Sequence, residues 1–363
     1  MITRLTVCVS PGTDPYENLA LEQTLLERVW EGECILYLWQ NARTVVIGRN
    51  QNPWKECRTA LLAEEGGRLA RRLSGGGAVF HDLGNLNFTF LMREEDYDLD
   101  RQLSVIELAC RCLGIPAERS GRNDLLCGGR KFSGNAFYHH NGRAYHHGTL
   151  MVDVDLDMVP RYLSPSRAKL AAKGVDSVRS RVVNLREFNP ELTVRQLSDA
   201  LVAAFSAVYG INAVGAHSVR PPEAAANSRQ AAEKAFPLRG RQPEGPDEAV
   251  PVHELAPEDF DLAELSEKYR SEAWLYGPKM PFTVSAEDRF TWGGVEIRLD
   301  VNEGVIQAAK VYTDAMDETL AQKLETVLPG CSFRFDSLSE ALDLTDLSAS
   351  QKTDLISLLR KTL

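Results

Sequence analysis

The stretch Arg71–Phe90, RRLSGGGAVFHDLGNLNFTF, constrains this chain more than any other. Three consecutive glycines (Gly75, Gly76, Gly77) follow Arg71, Arg72, Leu73 and Ser74. Glycines in series have no Cβ to hold a ligand off, so their backbone N–H groups can approach an anion closely. Arg71 and Arg72 add fixed positive charge suited to a phosphate or a carboxylate. The run then passes directly into an alternating segment in which Leu86, Phe88 and Phe90 are separated by Asn87 and Thr89. Alternation of that kind predicts a strand with one buried face. A tight turn between strands satisfies the same glycines, so the loop gains meaning only from what accompanies it.

At 363 residues the chain is long enough for one large core and a second small one. Its net charge of −10 disfavours nonspecific nucleic-acid binding. No run of about 18 apolar residues offers a membrane span. The N-terminal MITRLTVCVSPGTDPYENLA reads as a first strand rather than a signal peptide, which predicts a cytoplasmic protein. Seven cysteines, an odd number without a CxxC pair, argue for reduced thiols.

Local signals place several elements. Asp14-Pro15 with Glu17 predicts a capped helix start. Cys34–Trp39, Thr44–Ile47 and Ala144–Val154 read as strands, and Thr193 as the cap of a helix lined by Leu197, Leu201, Phe205 and Val208. Seven of the seventeen prolines fall between His217 and Asp261, predicting a long loop or interdomain segment around residues 217–262, with room for a short helix over Ala224–Phe236. Beyond Asp288, the alternating Val295, Ile297, Leu299 and Val301, the turn Asn302-Glu303-Gly304 and the return Val305–Thr313 predict a hairpin. Helical patterns at Glu318–Val327 and Ser350–Leu359 complete a small α+β domain of two strands and two helices.

Three further clusters carry chemistry. In GRNDLLCGGRKFSGNAF, Gly121–Phe137, Asn123 and Asp124 offer the hard oxygens that suit Mg²⁺, and Lys131 leads into a strand from which its ammonium can reach inward. In YHHGT, His146 and His147 are adjacent on a strand, so they point to opposite faces and do not share a metal in the simplest geometry. The segment Arg161–Arg181 holds six basic residues against the single acid Asp176, a composition suited to a flap over an anion or to an acidic partner. The chain has neither GxxxxGK[ST] nor a GxGxxG opening a βαβ unit, so the P-loop and Rossmann readings fall away.

Taken together, the chain resembles bacterial lipoate–protein ligase A. The matching segments are Asn41–Cys57, Arg71–Asn85, Gly121–Leu125, Arg130–Ala136, His146–Leu150, Lys169–Leu185 and Arg289–Ile297. The resemblance implies a mixed α/β (α+β) fold: a biotin/lipoate-ligase-type, class II synthetase-like catalytic domain over residues 1–280 and a small α+β domain over 285–363. It also implies an ATP-dependent ligase that activates lipoate as lipoyl-AMP, with Mg²⁺ held at Asp124. The acyl group would then pass to a lysine of apo lipoyl domains, on 2-oxoacid dehydrogenase acyltransferase subunits and the glycine-cleavage H protein. On the same ground Arg72, Gly77, Ala78, Val79, Phe80, Asn123, Asp124, Lys131, Lys173, Val178 and Arg181 are assigned to the nucleotide. Ser74, Gly75, Gly76, Gly77, Lys131, Ser133, Gly134, His147 and Gly148 are assigned to lipoate, with Lys131 as the catalytic cation. Three alternatives stand beside this reading. An acyltransferase would use a nucleophilic cysteine, and Lys173–Asp176 contains none. A biotin ligase would carry a GRGRxGR-type loop. A binding protein would hold the ligand without transferring it.

Overall fold

The computed structural model describes residues 1–120, 124–164, 182–210, 252–277 and 280–362. In chain order its strands are β1 (Arg4–Val9), β2 (Glu33–Trp39), β3 (Thr44–Ile47), β4 (Arg68–Arg71), β5 (Val79–His81), β6 (Asn85–Arg93), β7 (Ala117–Ser120), β8 (Asp124–Cys127), β9 (Arg130–His140), β10 (Arg143–Met151), β11 (Val252–Leu255), β12 (Val284–Phe290), β13 (Gly293–Asn302) and β14 (Val305–Thr313). The chain divides into two compact units. The first comprises the described parts of Met1–Ala42, His81–Leu156 and Ser177–Ser266; the second, those of Arg43–Phe80, Asp157–Asp176 and Glu267–Leu363.

The first unit is built on an eight-stranded sheet ordered β11-β1-β2-β6-β10-β9-β8-β7. β1 runs parallel to β11 and β2, whereas the pairs from β2 onward are antiparallel. The helices Leu99–Cys112 and Val194–Val208 cover one face, where Val105, Ile106, Leu197, Leu201 and Phe205 pack with Leu36, Phe88 and Phe90. The helix Pro15–Arg28 lies against β2, β6 and β10, where the Tyr37 hydroxyl meets Asn18 and that of Thr89 meets Glu22. Its start is fixed as its sequence predicts: the Asp14 carboxylate accepts from the Tyr16 and Glu17 N–H groups, and Pro15 occupies the first turn. Thr193 and Gln196 form a reciprocal capping box on the Val194–Val208 helix.

Cover on both faces changes the reading of β6. Alternation predicts one buried face, but all residues from Asn85 to Met92 are buried. Thr89 bonds Glu22 and Trp39 on the Pro15–Arg28 side, and the Asn87 oxygen accepts from the Asn85 amide, so polar partners take the place of solvent at these atoms. Sequence alternation reports polarity, and polarity equals exposure only where one face of a sheet is bare. A second difference is β11. The proline-rich stretch ends in this edge strand, which pairs in parallel with β1 through Leu5–Cys8. An edge position tolerates the prolines at 251 and 257 that bracket it. The helix expected at Ala224–Phe236 lies outside the described residues.

In the second unit β4 and β3 pair in parallel within a small β4-β3-β5 sheet. The C-terminal part is the antiparallel meander β12-β13-β14. The predicted hairpin turn is present, with Glu303 and Gly304 at φ of 50° and 75°. The sheet has three strands rather than two, and the helices Leu320–Val327 and Ala349–Arg360 are joined by a third, Phe335–Asp343. β12 is rich in charge (VSAEDRF), which hides its alternation. Leu338, Ala341 and Leu342 close the third helix onto Ile297, Leu324 and Leu355.

Two residues of β10 show how tightly the first sheet is packed. His146 is fully buried between Gln102 and Asn135, its Nδ1 and Nε2 each 2.9 Å from a carboxamide oxygen position. A neutral imidazole carries a single N–H, so one of the two carboxamides presents its NH₂ to the ring. Burial pushes the His146 imidazole down to about 3, with a smaller contribution from His147. Gly148 faces Asn135 across the ladder, and a Cβ there would lie 2.5 Å from the Asn135 Oδ1, 2.7 Å from Phe88 and 2.8 Å from the Gly134 carbonyl.

Two outcomes are expected. An unfolded histidine titrates near 6.5, so below that pH the unfolded chain binds a proton that folded His146 refuses, and stability falls by about 1.4 kcal/mol per pH unit on the way to pH 3. Urea titrations at pH 6.5 and pH 5 should therefore show the wild type losing about 2 kcal/mol more than His146→Gln. Gly148→Ala should cost about 1–3 kcal/mol at neutral pH, because its methyl meets backbone and ring atoms that cannot swing aside.

Candidate functional site

The glycine loop belongs to the second unit, and its shape is set from inside by arginine. Arg72 is buried, and its guanidinium donates to the Ser74 hydroxyl (3.0 Å), the Gly75 carbonyl (2.7 Å), the Gly77 carbonyl (2.8 Å) and the Val46 carbonyl (3.3 Å). Arg71 points the other way. It donates to the carbonyls of Gly48, Arg49 and Gln51, and to those of Trp274 and Leu275. The reading of Arg71 as a ligand contact is thus corrected: it is a buried structural pin, with burial lowering its pKa to about 10.

The glycines are required by close approach. A Cβ on Gly48 would lie 2.2 Å from the Gly76 carbonyl, and one on Gly75 would lie 2.5 Å and 2.6 Å from the Ala315 and Met316 carbonyls. Gly76 adopts φ of 86° and gives its N–H to the Ala315 carbonyl at 3.1 Å. One amide of the expected bare row is therefore engaged by the chain's own backbone. Gly77, Ala78 and Val79 are half-buried as the loop enters β5. Phe80 is buried, its ring 5.5 Å from that of Tyr162. The Tyr162 hydroxyl donates to Glu65, which Arg161 also holds.

The second group lies in the first unit. Lys131 is the second residue of β9, and its ammonium sits 2.7 Å from Asp124 at the start of β8, both side chains about one-third exposed. Its backbone carbonyl accepts from the Val183 N–H. Its stem passes over Gly134, where a Cβ would come within 3.1 Å of Cε and Nζ. Ser133 is fully buried, and its hydroxyl has no hydrogen-bond partner among the described residues.

His147 occupies the face of β10 opposite His146, as the alternation requires, and donates from Nδ1 to the Glu22 carboxylate at 2.8 Å. The same Glu22 oxygen accepts from Thr89 at 2.7 Å, and Trp39 donates to Thr89 at 3.1 Å. The Tyr145 ring lies tilted beside His147, with ring centres 4.7 Å apart. The result is an aromatic-walled polar cluster under the Pro15–Arg28 helix.

Glu22 escapes the sequence reading although a signal was there. It falls on the apolar stripe formed by Leu19, Leu25 and Leu26, where an unpaired acid would be costly.

Asn123, Lys173, Val178 and Arg181 lie outside the described residues. Among the described residues no group of three or more His, Cys, Asp or Glu is placed to hold a metal. A single carboxylate at Asp124 nonetheless fits Mg²⁺ brought by a nucleotide, because that ion takes most of its ligands from phosphate and water.

Comparison with known proteins follows this geometry. Residues 14–206 match the family described as lipoyl protein ligase A/B catalytic domain, and residues 279–359 match bacterial lipoate protein ligase C-terminus. Among solved structures, Plasmodium falciparum LipL1 in complex with lipoate is 24% identical, with a TM-score of 0.77, over 98% of this chain and 99% of that one. A structure described as a bi-partite lipoate protein ligase and its E2 lipoyl domain from Thermoplasma acidophilum is 25% identical at a TM-score of 0.55 over 78% of this chain and 100% of that one. A lipoate-protein ligase A bound with ATP gives 25% identity and a TM-score of 0.54 over 76% of this chain and 99% of that one. With the catalytic and C-terminal matches in one polypeptide, the chain belongs to the lipoyl protein ligase A/B family and is a ligase.

Proposed function

We propose that this ligase uses ATP to activate lipoate and transfers the lipoyl group to a lysine of apo lipoyl domains, serving lipoate salvage in the cytoplasm. The observation that carries the reading is Lys131: a motif lysine on β9, held by Asp124 over a glycine floor, in a chain of this family. The relatives solved with lipoate, with ATP and alongside a lipoyl domain support the three substrates.

The chemistry has two steps. In the first, the lipoate carboxylate attacks the α-phosphorus of ATP, an acyl–phosphate bond forms and pyrophosphate leaves. Two anions must meet, and an ammonium between them offsets their repulsion and the charge spread over the phosphoryl oxygens. Lys131 is assigned that task, with Arg72 and Gly77–Phe80 toward the nucleotide. In the second step the acceptor lysine's amine attacks the acyl carbon, an amide forms and AMP leaves. Mg²⁺, when bound with the nucleotide at Asp124, would supply further charge neutralisation. Lipoate falls to Ser74–Gly77, Ser133, Gly134, His147 and Gly148, with Glu22 holding His147 in one tautomer and orientation. Residues 1–280 are taken as the catalytic part and 285–363 as an accessory domain. Lipoyl domains of 2-oxoacid dehydrogenase acyltransferase subunits and the glycine-cleavage H protein are the proposed acceptors. No helix among the described residues is long and apolar enough to cross a membrane.

Thiol-based acyl transfer is disfavoured by the cysteines. Cys127, the thiol nearest Lys131 in sequence, is fully buried and its pKa is raised by that burial, the reverse of an activated nucleophile.

Incubation with lipoate, MgATP and an apo lipoyl domain should raise the mass of that domain by one lipoyl group, and ATP–pyrophosphate exchange should depend on lipoate. No mass change and no exchange would overturn the assignment. Lys131→Ala should keep the fold, measured by its melting curve, while exchange falls by about 10²–10³. Exchange at the wild-type rate would remove Lys131 from its role. Glu22→Gln should lower kcat/KM for lipoate by about 10-fold or more and leave KM for ATP unchanged, since a hydrogen bond to a charged group contributes about 1.5–3 kcal/mol.

A further inference from the structure

A cavity of about 280 Å³ lies wholly inside the second unit, and none of the residues assigned to the reaction lines it. Segment 49–51, the end of the helix Glu272–Tyr276, β14 and the helix Leu320–Val327 enclose it. Its walls combine three aromatic side chains, Trp274, Tyr276 and Tyr312, with the guanidinium of Arg49.

Arg49 is the informative group. Its guanidinium rests over the Trp274 ring at 5.0 Å, and among the described residues no carboxylate or carbonyl accepts from it. It also feels like charge, because Arg49 and buried Arg71 line the same space and repel, and the Lys268 ammonium sits over the same Trp274 ring at 4.6 Å. Lys310, the third cation of the lining, is already matched by Glu325 at 2.9 Å. With Glu318 and Glu325 as the acids, the lining keeps one net positive charge. Neutral donors add to this. The Gln51 side chain is buried; its oxygen accepts from the Gly48 N–H, while its Nε2 has no acceptor among the described residues. Burial raises the pKa of Tyr276 and of Tyr312, so both phenols stay protonated and able to donate.

A guanidinium with no acceptor among the described residues, beside aromatic walls and surplus donors, matches one ligand chemistry. The anionic group pairs with arginine and the flat body lies against the rings.

We propose that this cavity is a second binding site, lined by none of the residues assigned to lipoate and ATP, for a small organic anion built on a flat ring, such as an aromatic phosphate. The acidic group binds Arg49 and the ring packs between Trp274 and Tyr312.

The test is calorimetric titration of the full chain with phenyl phosphate, with inorganic phosphate and phenol as half-ligands. Saturable one-to-one binding of phenyl phosphate is expected, at least 10-fold tighter than either half. Arg49→Ala should weaken it at least 10-fold with an unchanged melting curve. Gln322→Trp, which places a ring at the exposed mouth of the cavity, should abolish it while lipoate-dependent pyrophosphate exchange stays normal. No saturable binding, or equal affinity in the wild type and Arg49→Ala, would overturn the site. Phenol binding as tightly as phenyl phosphate would overturn its anion selectivity. Exchange activity is read separately, so loss of the proposed reaction and loss of this site are distinguishable.

Discussion

Two guanidinium groups at the end of β4 organise the second unit. Arg71 gathers carbonyls from Gly48, Arg49 and Gln51 and from Trp274 and Leu275, about two hundred positions away along the chain. Arg72 gathers those of Gly75 and Gly77. Each bond from a charged donor contributes about 1.5–3 kcal/mol net, and removing either side chain leaves several buried carbonyls without a donor. Lysine is no substitute, since one ammonium lacks the planar fork that reaches carbonyls on several sides. The glycine loop is therefore held in shape by the chain's own groups.

The same interactions explain what the sequence could and could not disclose. Asp14 at its helix start, Thr193 with Gln196, and the Glu303-Gly304 turn are legible because their partners sit within a few residues. The pattern of glycines was legible too, as a demand for close approach. What the glycines approach was not: the neighbours of Gly75 are Ala315 and Met316. Likewise two arginines beside a glycine run suggest an anion, and nothing local shows that Arg71 is saturated by carbonyls. Sequence reveals the donor; only the fold reveals the acceptor. β12 and the Phe335–Asp343 helix were hidden for a related reason, because their charged or short apolar patterns are weak alone and are stabilised by neighbours.

One step along β10 separates two histidines with opposite physics. His146 faces the apolar side of the sheet and is kept neutral by burial and by carboxamides. His147 faces the Pro15–Arg28 helix and meets a carboxylate. The polar atoms of that second face (Glu22, Thr89 and the Trp39 indole) are tied to one another, which offsets the cost of burying them. An apolar face packs against the covering helices while the polar, aromatic face holds the His147–Glu22 cluster, and the period of two in the strand keeps them apart.

The β9–β10 ladder then accounts for where the lysine can go. Gly134 and Gly148 lack side chains on adjacent strands, so the Gly134 carbonyl and the Asn135 carboxamide approach Gly148 closely while the Lys131 stem lies flat over Gly134. A side chain at Gly134 would lift the ammonium away from the strand and from Asp124. The carboxylate at Asp124 fixes the direction of the ammonium, and the Val183 N–H fixes the backbone of the lysine. Direction, backbone position and clearance are thus set by three separate contacts. A cation that must act between two anions needs all three, because an ammonium free to swing would turn toward solvent, where its hydration is strongest.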